Sequence, residues 1–431
     1  MNFVEELRWR GLIHQEIPGT EDFLNEQKVS GYLGVDPTGD SMHIGNLVPV
    51  MMMVHFQRAG HKPILLVGGA TGMVGDPSGK DKERELMSLE KIQHNVAAIR
   101  KQLAHFVEFE GVENPAEMVN NYDWFGQFNF LDFLRDVGKH ITISYMMGKE
   151  SVKKRMTGDT GISYTEFAYQ LLQGYDFFHL YKEKDVRVQV GGSDQWGNIT
   201  TGTELIRRMG GPVAKAYAVV CPLLTREDGS KFGKTADGQS VWLDPDKTSP
   251  YEFFQYWLNA ADGDAKKFIK IFTTKERAEV EAIIAQHEED PGRRTLQKAI
   301  AEDITLRVHG EAGLASAHKL TDFNFKRNQT REDLASLDPK EWAAVSGSDS
   351  KQIAREKLAG GINILDLLVE LEVTKSKGEA RRSIEKDKSV KLNSEKIESI
   401  ETDFGIEIAF HGQYFQIQKG KKAKFIVEVV D

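Results

Sequence analysis

The sequence predicts an α/β protein in which a parallel sheet carries helices on both faces, followed by a helical region and a small α+β module. Three observations carry that expectation. Over residues 28–222, short apolar runs alternate with amphipathic segments, as strand–loop–helix units of a parallel sheet do. Polar, glycine-bearing loops follow the predicted strands, at the end of such a sheet where ligands gather. After Leu243 the strand-like runs cease and helical periodicity takes over.

The N-terminal MNFVEELRWRGLIHQ mixes charged and apolar residues like an amphipathic helix, without the basic start, apolar run and small-residue cleavage site of a signal peptide. KVSGYLGV, KPILLVGG and VRVQVGG are short apolar runs ending in glycine turns and read as buried strands; NLVPVMMMVHFQRAG and residues 89–106 read as helices. Residues 1–242 form the expected sheet domain. SPYEFFQYWLNA, residues 275–286 and RRTLQKAIAEDITLRVHG make an expected helical domain over 243–345. VSGSDS, small and polar, reads as a linker. Beyond it, INILDLLVELEV and KSKGEARRSIEKD predict a helix pair, and SVKLNSEKI and AKFIVEVV predict strands, giving an α+β module over 351–431.

With 40% hydrophobic and 28% charged residues, 431 residues suffice for a sizeable core in a soluble globular protein. No apolar stretch approaches the roughly 18 residues of a membrane span. Cys221 is the only cysteine, which excludes an internal disulfide and a cysteine metal cage and makes the cytoplasm the expected compartment. The net charge of −9 is uneven: residues 350–431 hold 15 basic against 14 acidic side chains, so the acidity belongs to the first 349 residues. KSKGEARR and KGKKAK are either solvated surface charge or a contact for phosphates.

Five segments carry candidate chemistry. DPTGDSMHIGN (36–46) opens a helix whose free backbone N–H groups and dipole favour an anion; His43 offers a donor to phosphate, and Gly45 lets a flat base approach. An ordinary capped helix is the alternative. GGATGMVGDPSGK (68–80) fits neither stock nucleotide loop, because Val74 and Ala70 stand where the Walker and dinucleotide patterns need glycine. Asp76 suits an ammonium group, with Lys80 and Arg84 in reach of phosphates; a simple Asp-Pro-Ser-Gly turn competes. In TEFAYQLLQGYDFF, Tyr169, Gln173 and Asp176 share one helix face, a stripe for a small polar ligand or for solvent, and Gly174 hints at close packing. GGSDQWGN offers Asp194 to a ribose hydroxyl and excludes a serine-hydrolase elbow, since Gln195 stands where glycine is needed. TREDGSKFGKT places Lys231, Lys234 and Thr235 around Gly233, suited to a departing pyrophosphate or to an exposed basic turn.

DPTGDSMHIGN and KFGKT together resemble the two signature motifs of class I aminoacyl-tRNA synthetases. YLGVDPTGDSMHIGN, GGATGMVGDPSG, NNYDW, YQLLQGYD, VGGSDQWGN and KFGKT, in this order over nearly the whole chain, resemble the bacterial tyrosyl-tRNA synthetases. That resemblance implies a Rossmann-like catalytic domain, an α-helical anticodon-binding domain and an S4-like RNA-binding tail. It implies activation of L-tyrosine with ATP, Mg²⁺ arriving with the nucleotide and no permanently bound cofactor, followed by transfer to tRNA(Tyr). Residue by residue, Tyr32 and Asp176 would read the phenol, Asp76, Tyr169 and Gln173 the ammonium, and Gln195 the carboxylate. Gly34, Asp36, Thr38, His43, Gly45, Asn46, Gly192 and Asp194 would serve ATP; Lys80, Arg84, Lys231, Lys234 and Thr235 would stabilise its polyphosphate. Lys375, Lys377, Arg381 and Arg382 would contact RNA, and the enzyme would be a homodimer. Asn46 stands where the family's HIGH pattern has a second histidine, KFGKT departs from the generic KMSKS motif, and Leu33 and Pro49 occupy positions that other members fill with polar groups. A tryptophanyl-tRNA synthetase and a non-catalytic RNA-binding regulator on the same scaffold are the rival readings.

Overall fold

A computed structural model of the chain describes residues 2–76, 87–157, 161–235, 237–326, 328–346, 350–420 and 423–431. Two compact units divide it: Met1–Thr248 with Gln255–Gly310, and Ser249–Phe254 with Glu311–Asp431.

The first unit is built on a sheet of six strands among the described residues, in the order β1-β6-β5-β2-β3-β4. These are β1 (Gln15–Glu16), β2 (Ser30–Val35), β3 (Lys62–Val67), β4 (Glu117–Asn120), β5 (Val186–Gly192) and β6 (Tyr217–Cys221). All neighbours run parallel except the short edge strand β1. β2, β3 and β5 match the expected strands within two residues at each end; β1, β4 and β6 are additions to the expected set. Chain order reverses between β5 and β2, so their carboxyl ends border the crevice where ligands enter such sheets. Tyr32 of β2 pairs with Gln189 of β5 there.

Helices α1 (Phe3–Arg10), α3 (Leu47–Arg58) and α4 (Leu89–Leu103) follow the expected pattern at the N-terminus and after the first two sheet loops, and α2 (Thr20–Glu26) is an addition. α3 is apolar around most of its circumference because β2, β3, β5, α1 and the helix Asp262–Phe272 surround it, and Leu47, Val50, Met51, Met52 and Met53 are fully buried. The helix Tyr164–Glu183 is capped by Ser163, whose hydroxyl accepts the Glu166 N–H. It packs on the helix Trp196–Met209 through two glycines. A Cβ on Gly174 would lie 3.0 Å from Leu205 Cδ1, and one on Gly202 would lie 2.9 Å from Phe177 Cβ. The close packing that Gly174 hinted at is therefore present.

The helical region does not form a unit of its own. Phe232, Trp257, Phe268 and Phe272 form an aromatic cluster that joins the helix Asp262–Phe272 to the sheet unit. The helix Thr295–Phe325 is broken at Gly310, whose φ of 69° and ψ of −176° are not helical, and the boundary falls there. Beyond it, Leu320, Phe323, Leu334, Leu337 and Trp342 share a core with Tyr414 from the tail. Burial rather than helix content thus draws the line between the two compact units.

The second unit carries a sheet of order β10-β9-β12-β13-β7, with β7 (Lys351–Ala354), β9 (Val390–Leu392), β10 (Glu395–Lys396), β12 (Tyr414–Lys419) and β13 (Ala423–Val430), and a separate pair of β8 (Ile362–Asn363) with β11 (Asp403–Phe404). The expected strand SVKLNSEKI is a hairpin: Asn393 and Ser394 both take positive φ, which two-residue hairpin turns require. The expected helix pair appears as Ile364–Glu370 and Lys377–Glu385. Among the described residues no helix is long and apolar enough to cross a membrane.

Candidate active site

Backbone contacts bring the two segments 36–46 and 231–235 together. Ile44 N–H donates to Val241 O at 3.0 Å, Leu243 N–H donates to Met42 O at 2.9 Å, and His43 forms an antiparallel bridge with Trp242. The chain around the second segment doubles back as a two-turn hairpin, with antiparallel bridges Thr225–Lys231 and Lys234–Ser240. Gly233, at φ +89°, lies so close that a Cβ would stand 3.3 Å from Gly45 N; a Cβ on Gly45 would in turn meet the His43 ring at 2.9 Å. Asn46 Oδ1 accepts the His43 N–H at 3.0 Å, closing a capping box at the start of the short helix Ile44–Asn46. With its carbonyl so used, the Asn46 amide keeps Nδ2 as its donor.

Asp36, Thr38, Gly39, His43, Asn46 and Trp242 line a recess at this junction. Lys231, Lys234 and Thr235 are exposed on the hairpin beside it, and Lys234 Nζ donates to Ser240 Oγ at 2.8 Å. Gly34, the penultimate residue of β2, has open space where a side chain would stand. Lys80 and Arg84 lie outside the described residues.

A buried polar network continues from Asp36. Its Oδ2 accepts the Tyr169 hydroxyl at 2.6 Å and its Oδ1 accepts the Thr71 hydroxyl at 2.9 Å. Gly68 is required here, since a Cβ would overlap Thr71 Oγ1 and Asp36 Oδ1. Asn121 Nδ2 donates to Thr71 Oγ1 and to Asp176 Oδ2, both at 3.0 Å, and Trp124 Nε1 donates to Asp176 Oδ1 at 2.9 Å. Asp176 is 2% exposed, and burial pushes its carboxyl well above the usual range against the pull of the Asn121 and Trp124 donors. Burial and the nearby Asp176 likewise push the Tyr32 phenol up. Tyr32 Oη has Gln189 and Asp176 as polar neighbours but makes no hydrogen bond of good geometry to either. The stripe Tyr169, Gln173 and Asp176 therefore faces the protein interior, not solvent.

A second cluster surrounds Asp76. Gln195 Nε2 donates to Asp76 Oδ2 at 2.6 Å, and Asn198 Nδ2 donates to Asp76 Oδ1 at 3.3 Å and to Gln173 Oε1 at 3.0 Å. Tyr169 does not bond Asp76 directly, yet the Asp36 and Asp76 charges add to burial in pushing its hydroxyl up. Asp194, at the end of β5, is held above the usual carboxylate range by burial and by Asp76; Gly192 is needed because its Cβ would fall 2.6 Å from Asp194 Oδ1. The cluster is anionic and amide-lined, chemistry that suits a small cation, and exposed lysines stand on the hairpin beside the recess. Such a site works by positioning and electrostatics.

Thr71, Asn121, Trp124 and Asn198 are site residues that sequence reasoning missed. NNYDW and GGSDQWGN contain three of them, so the signal was a cluster of polar amides in segments otherwise bound for burial.

In the second unit, Lys375 and Lys377 flank the Ser376 cap of the helix Lys377–Glu385, and Arg381 and Arg382 follow in its later turns, all exposed. Lys377 pairs with Asp366, Arg382 lies 3.9 Å from Asp387, and Glu379 takes Lys419 at 2.7 Å, so carboxylates offset part of this charge.

The chain matches the family model of class I tRNA synthetases (W and Y) over residues 24–325 and that of the tyrosine–tRNA ligase SYY-like C-terminal domain over residues 346–427. It is 52% identical to the tyrosine–tRNA ligase of Bacteroides thetaiotaomicron over 432 residues, covering 99% of both chains. It is 50% identical to that of Flavobacterium johnsoniae over 435 residues, covering all of both. Among solved structures, a C-terminally truncated mitochondrial tyrosyl-tRNA synthetase of Aspergillus nidulans aligns with a TM-score of 0.68 and 32% identity, covering 75% of this chain and 94% of that one. A tryptophanyl-tRNA synthetase of Encephalitozoon cuniculi shares the fold at 14% identity and a TM-score of 0.51, over 73% of this chain and 87% of that one.

Proposed function

This chain belongs to the tyrosine–tRNA ligases among the class I tRNA synthetases, and on that premise we propose how its side chains divide the work. The enzyme joins tyrosine to ATP, releasing pyrophosphate, and then passes the tyrosyl group to tRNA. In the first step the tyrosine carboxylate attacks the α-phosphorus and the bond to the β-phosphate breaks. In the second, a ribose hydroxyl at the tRNA 3′ end attacks the acyl carbon and AMP leaves.

The buried Asp176 carboxylate beside the Tyr32 hydroxyl is the observation that carries the amino-acid assignment. Each Asp176 oxygen already accepts one N–H and keeps a further lone pair, which suits a phenol O–H. A buried site of this kind rejects a ligand that lacks the hydroxyl, a discrimination for which tyrosyl-tRNA synthetases are themselves a standard example. Asp76, Gln173 and Tyr169 take the ammonium group. Gln195 also belongs on that side, since its amide is committed to Asp76, although the family resemblance put it near the carboxylate. Asp36 orients Tyr169 as well as bordering the nucleotide recess.

Thr38, His43 and Asn46 hold ATP from the first signature, with Gly34, Gly45 and Gly192 giving it room and Asp194 on its ribose. Lys231, Lys234 and Thr235 meet the leaving pyrophosphate; Lys80 and Arg84 are proposed to assist on the family pattern alone. Mg²⁺ arrives with ATP as part of the substrate. Lys375, Lys377, Arg381 and Arg382 contact tRNA phosphates. Residues 1–242, 243–345 and 351–431 serve catalysis, anticodon binding and further RNA contact, a functional division that need not coincide with the compact units. A homodimer agrees with the exposed Phe130, Leu131 and Ile143 (63%, 73% and 60%), and the cytoplasm is where tRNA and ATP meet.

Pyrophosphate exchange with a panel of amino acids tests this reading. Tyrosine alone should drive exchange. Exchange driven by tryptophan instead, or no tyrosine-dependent exchange, would overturn it.

A further inference from the structure

We propose that Tyr256 is a positioning residue for the reaction: its hydroxyl and ring face fix the peptide groups that carry Lys234, and so set where the Lys234 ammonium meets the leaving pyrophosphate. This rests on the assignment of Lys234 to the leaving group. Backbone bonds hold the segment at Gly233 and Lys234, Val241 N–H to Gly233 O at 3.0 Å and Thr235 N–H to Gln239 O at 2.8 Å, and two side-chain bonds add to them. Gly233 N–H donates to Tyr256 Oη at 3.2 Å, and Lys234 O accepts from Arg226 Nη2 at 2.6 Å. The Arg226 guanidinium in turn lies over the Tyr256 ring, 5.1 Å from its centroid. One tyrosine therefore supports both side-chain anchors of the lysine's backbone.

The arrangement has a fixed point and a free one. Phe232, just before the anchored pair, is buried and stacked on Phe272 at 5.2 Å, edge-on to Tyr256. Lys234, just after it, sends an exposed side chain toward Ser240. Val241 N–H fixes the Gly233–Lys234 peptide at Gly233 O, so movement that swings the ammonium while leaving Phe232 in place lies in the peptides on either side of it, and the glycine, at φ +89°, opposes no such movement with a side chain. Tyr256 and Arg226 are the side chains that restrain those flanking peptides. Tyr256 does not border the recess, so its effect reaches the nucleotide only through the loop.

The test is a double-mutant cycle in full-length enzyme, read by tyrosine-dependent pyrophosphate exchange with thermal unfolding alongside. Tyr256→Phe removes only the hydroxyl, and an unchanged melting temperature shows the fold intact. Its kcat should fall about tenfold, with tyrosine KM within about twofold, because misplacing a catalytic group costs rate rather than substrate binding. In a Lys234→Ala background the same substitution should cost less than about twofold, since groups acting as a unit are not additive. Arg226→Met should reproduce the kcat loss and be equally silent without Lys234. An undiminished loss in the Lys234→Ala background overturns the inference while leaving the role of Lys234 standing, as does full activity of Tyr256→Phe. Full activity of Lys234→Ala removes the leaving-group assignment and the inference with it.

Discussion

Trp124→Phe tests the proposed role of Asp176 as acceptor for the phenol. The indole N–H is one of the two donors to a carboxylate that is 2% exposed, and Asn121 supplies the other. A hydrogen bond to a buried charge contributes about 1.5–3 kcal/mol, or roughly 10- to 150-fold in a binding constant. Phenylalanine keeps a ring to stack on His179, which lies 4.4 Å from the indole, so the loss falls mainly on the carboxylate. Tyrosine KM should rise at least about tenfold with kcat within about threefold, the mark of ground-state binding lost equally in the transition state.

The pH dependence supplies a second, independent sign. Burial already holds the Asp176 carboxyl above its ordinary range, and the Trp124 donor opposes that rise, so its removal raises it further. A carboxyl raised in the folded state contributes stability that is present below its unfolded value and lost as pH climbs through the folded one. The melting deficit of Trp124→Phe against the parent should therefore widen as pH rises. Tyrosine binding runs the opposite way, because the phenol needs an ionised acceptor: KM climbs as pH falls, and in the variant that climb begins at higher pH. Exchange kinetics and thermal unfolding over one pH series measure both. Superimposable KM profiles for parent and variant would refute the assignment of Asp176 to the phenol.

Other outcomes follow from the same geometry. Lys234→Ala should slow tyrosyl-adenylate formation by about 10²-fold or more in single-turnover measurements, with tyrosine binding unchanged, because its charge acts on the departing pyrophosphate. Asn46→Asp keeps the acceptor for His43 N–H but replaces the donor Nδ2 with a second acceptor. ATP KM should then rise about tenfold or more while tyrosine KM holds, and an unchanged ATP KM would contradict the donor role. Deleting residues 347–431 should spare tyrosine-dependent exchange and weaken tRNA charging. It also strips Phe410 and Tyr414 from their stacks on Trp342, so the truncated chain should bind apolar dyes that the full chain does not.

The sequence displayed the ligand end of the sheet because each loop there follows an apolar strand, and strand and loop are local facts. Helix periodicity likewise put Tyr169, Gln173 and Asp176 on one face, but whether that face met ligand or water depended on what packed against it. Partner choice was out of reach for the same reason. Asp36 looked like a nucleotide residue from its motif, yet its carboxylate is engaged by Tyr169, 133 positions away. Asp176 finds its donors 52 and 55 positions back, in a segment whose only local signal was a pair of asparagines before a tryptophan. The boundary at Gly310 was hidden because apolar periodicity is helical on both sides of it.

The two signature segments are joined chiefly through backbone. The His43–Trp242 bridge, the hydrogen bonds at Ile44 and Leu243, and the approach of Gly233 to Gly45 require no particular side chain beyond two glycines. That division of labour leaves the motif side chains free to differ as long as the donors and acceptors they present are kept. Asn46 offers one acceptor to the His43 N–H and keeps one donor. A neutral histidine at the same position has the same pair, one ring nitrogen that accepts and one that donates. The departure from HIGH therefore preserves hydrogen-bonding polarity and gives up only the capacity to carry charge. If catalysis relies, as proposed, on fixed dipoles and on the lysines of the hairpin, it does not need that charge at position 46.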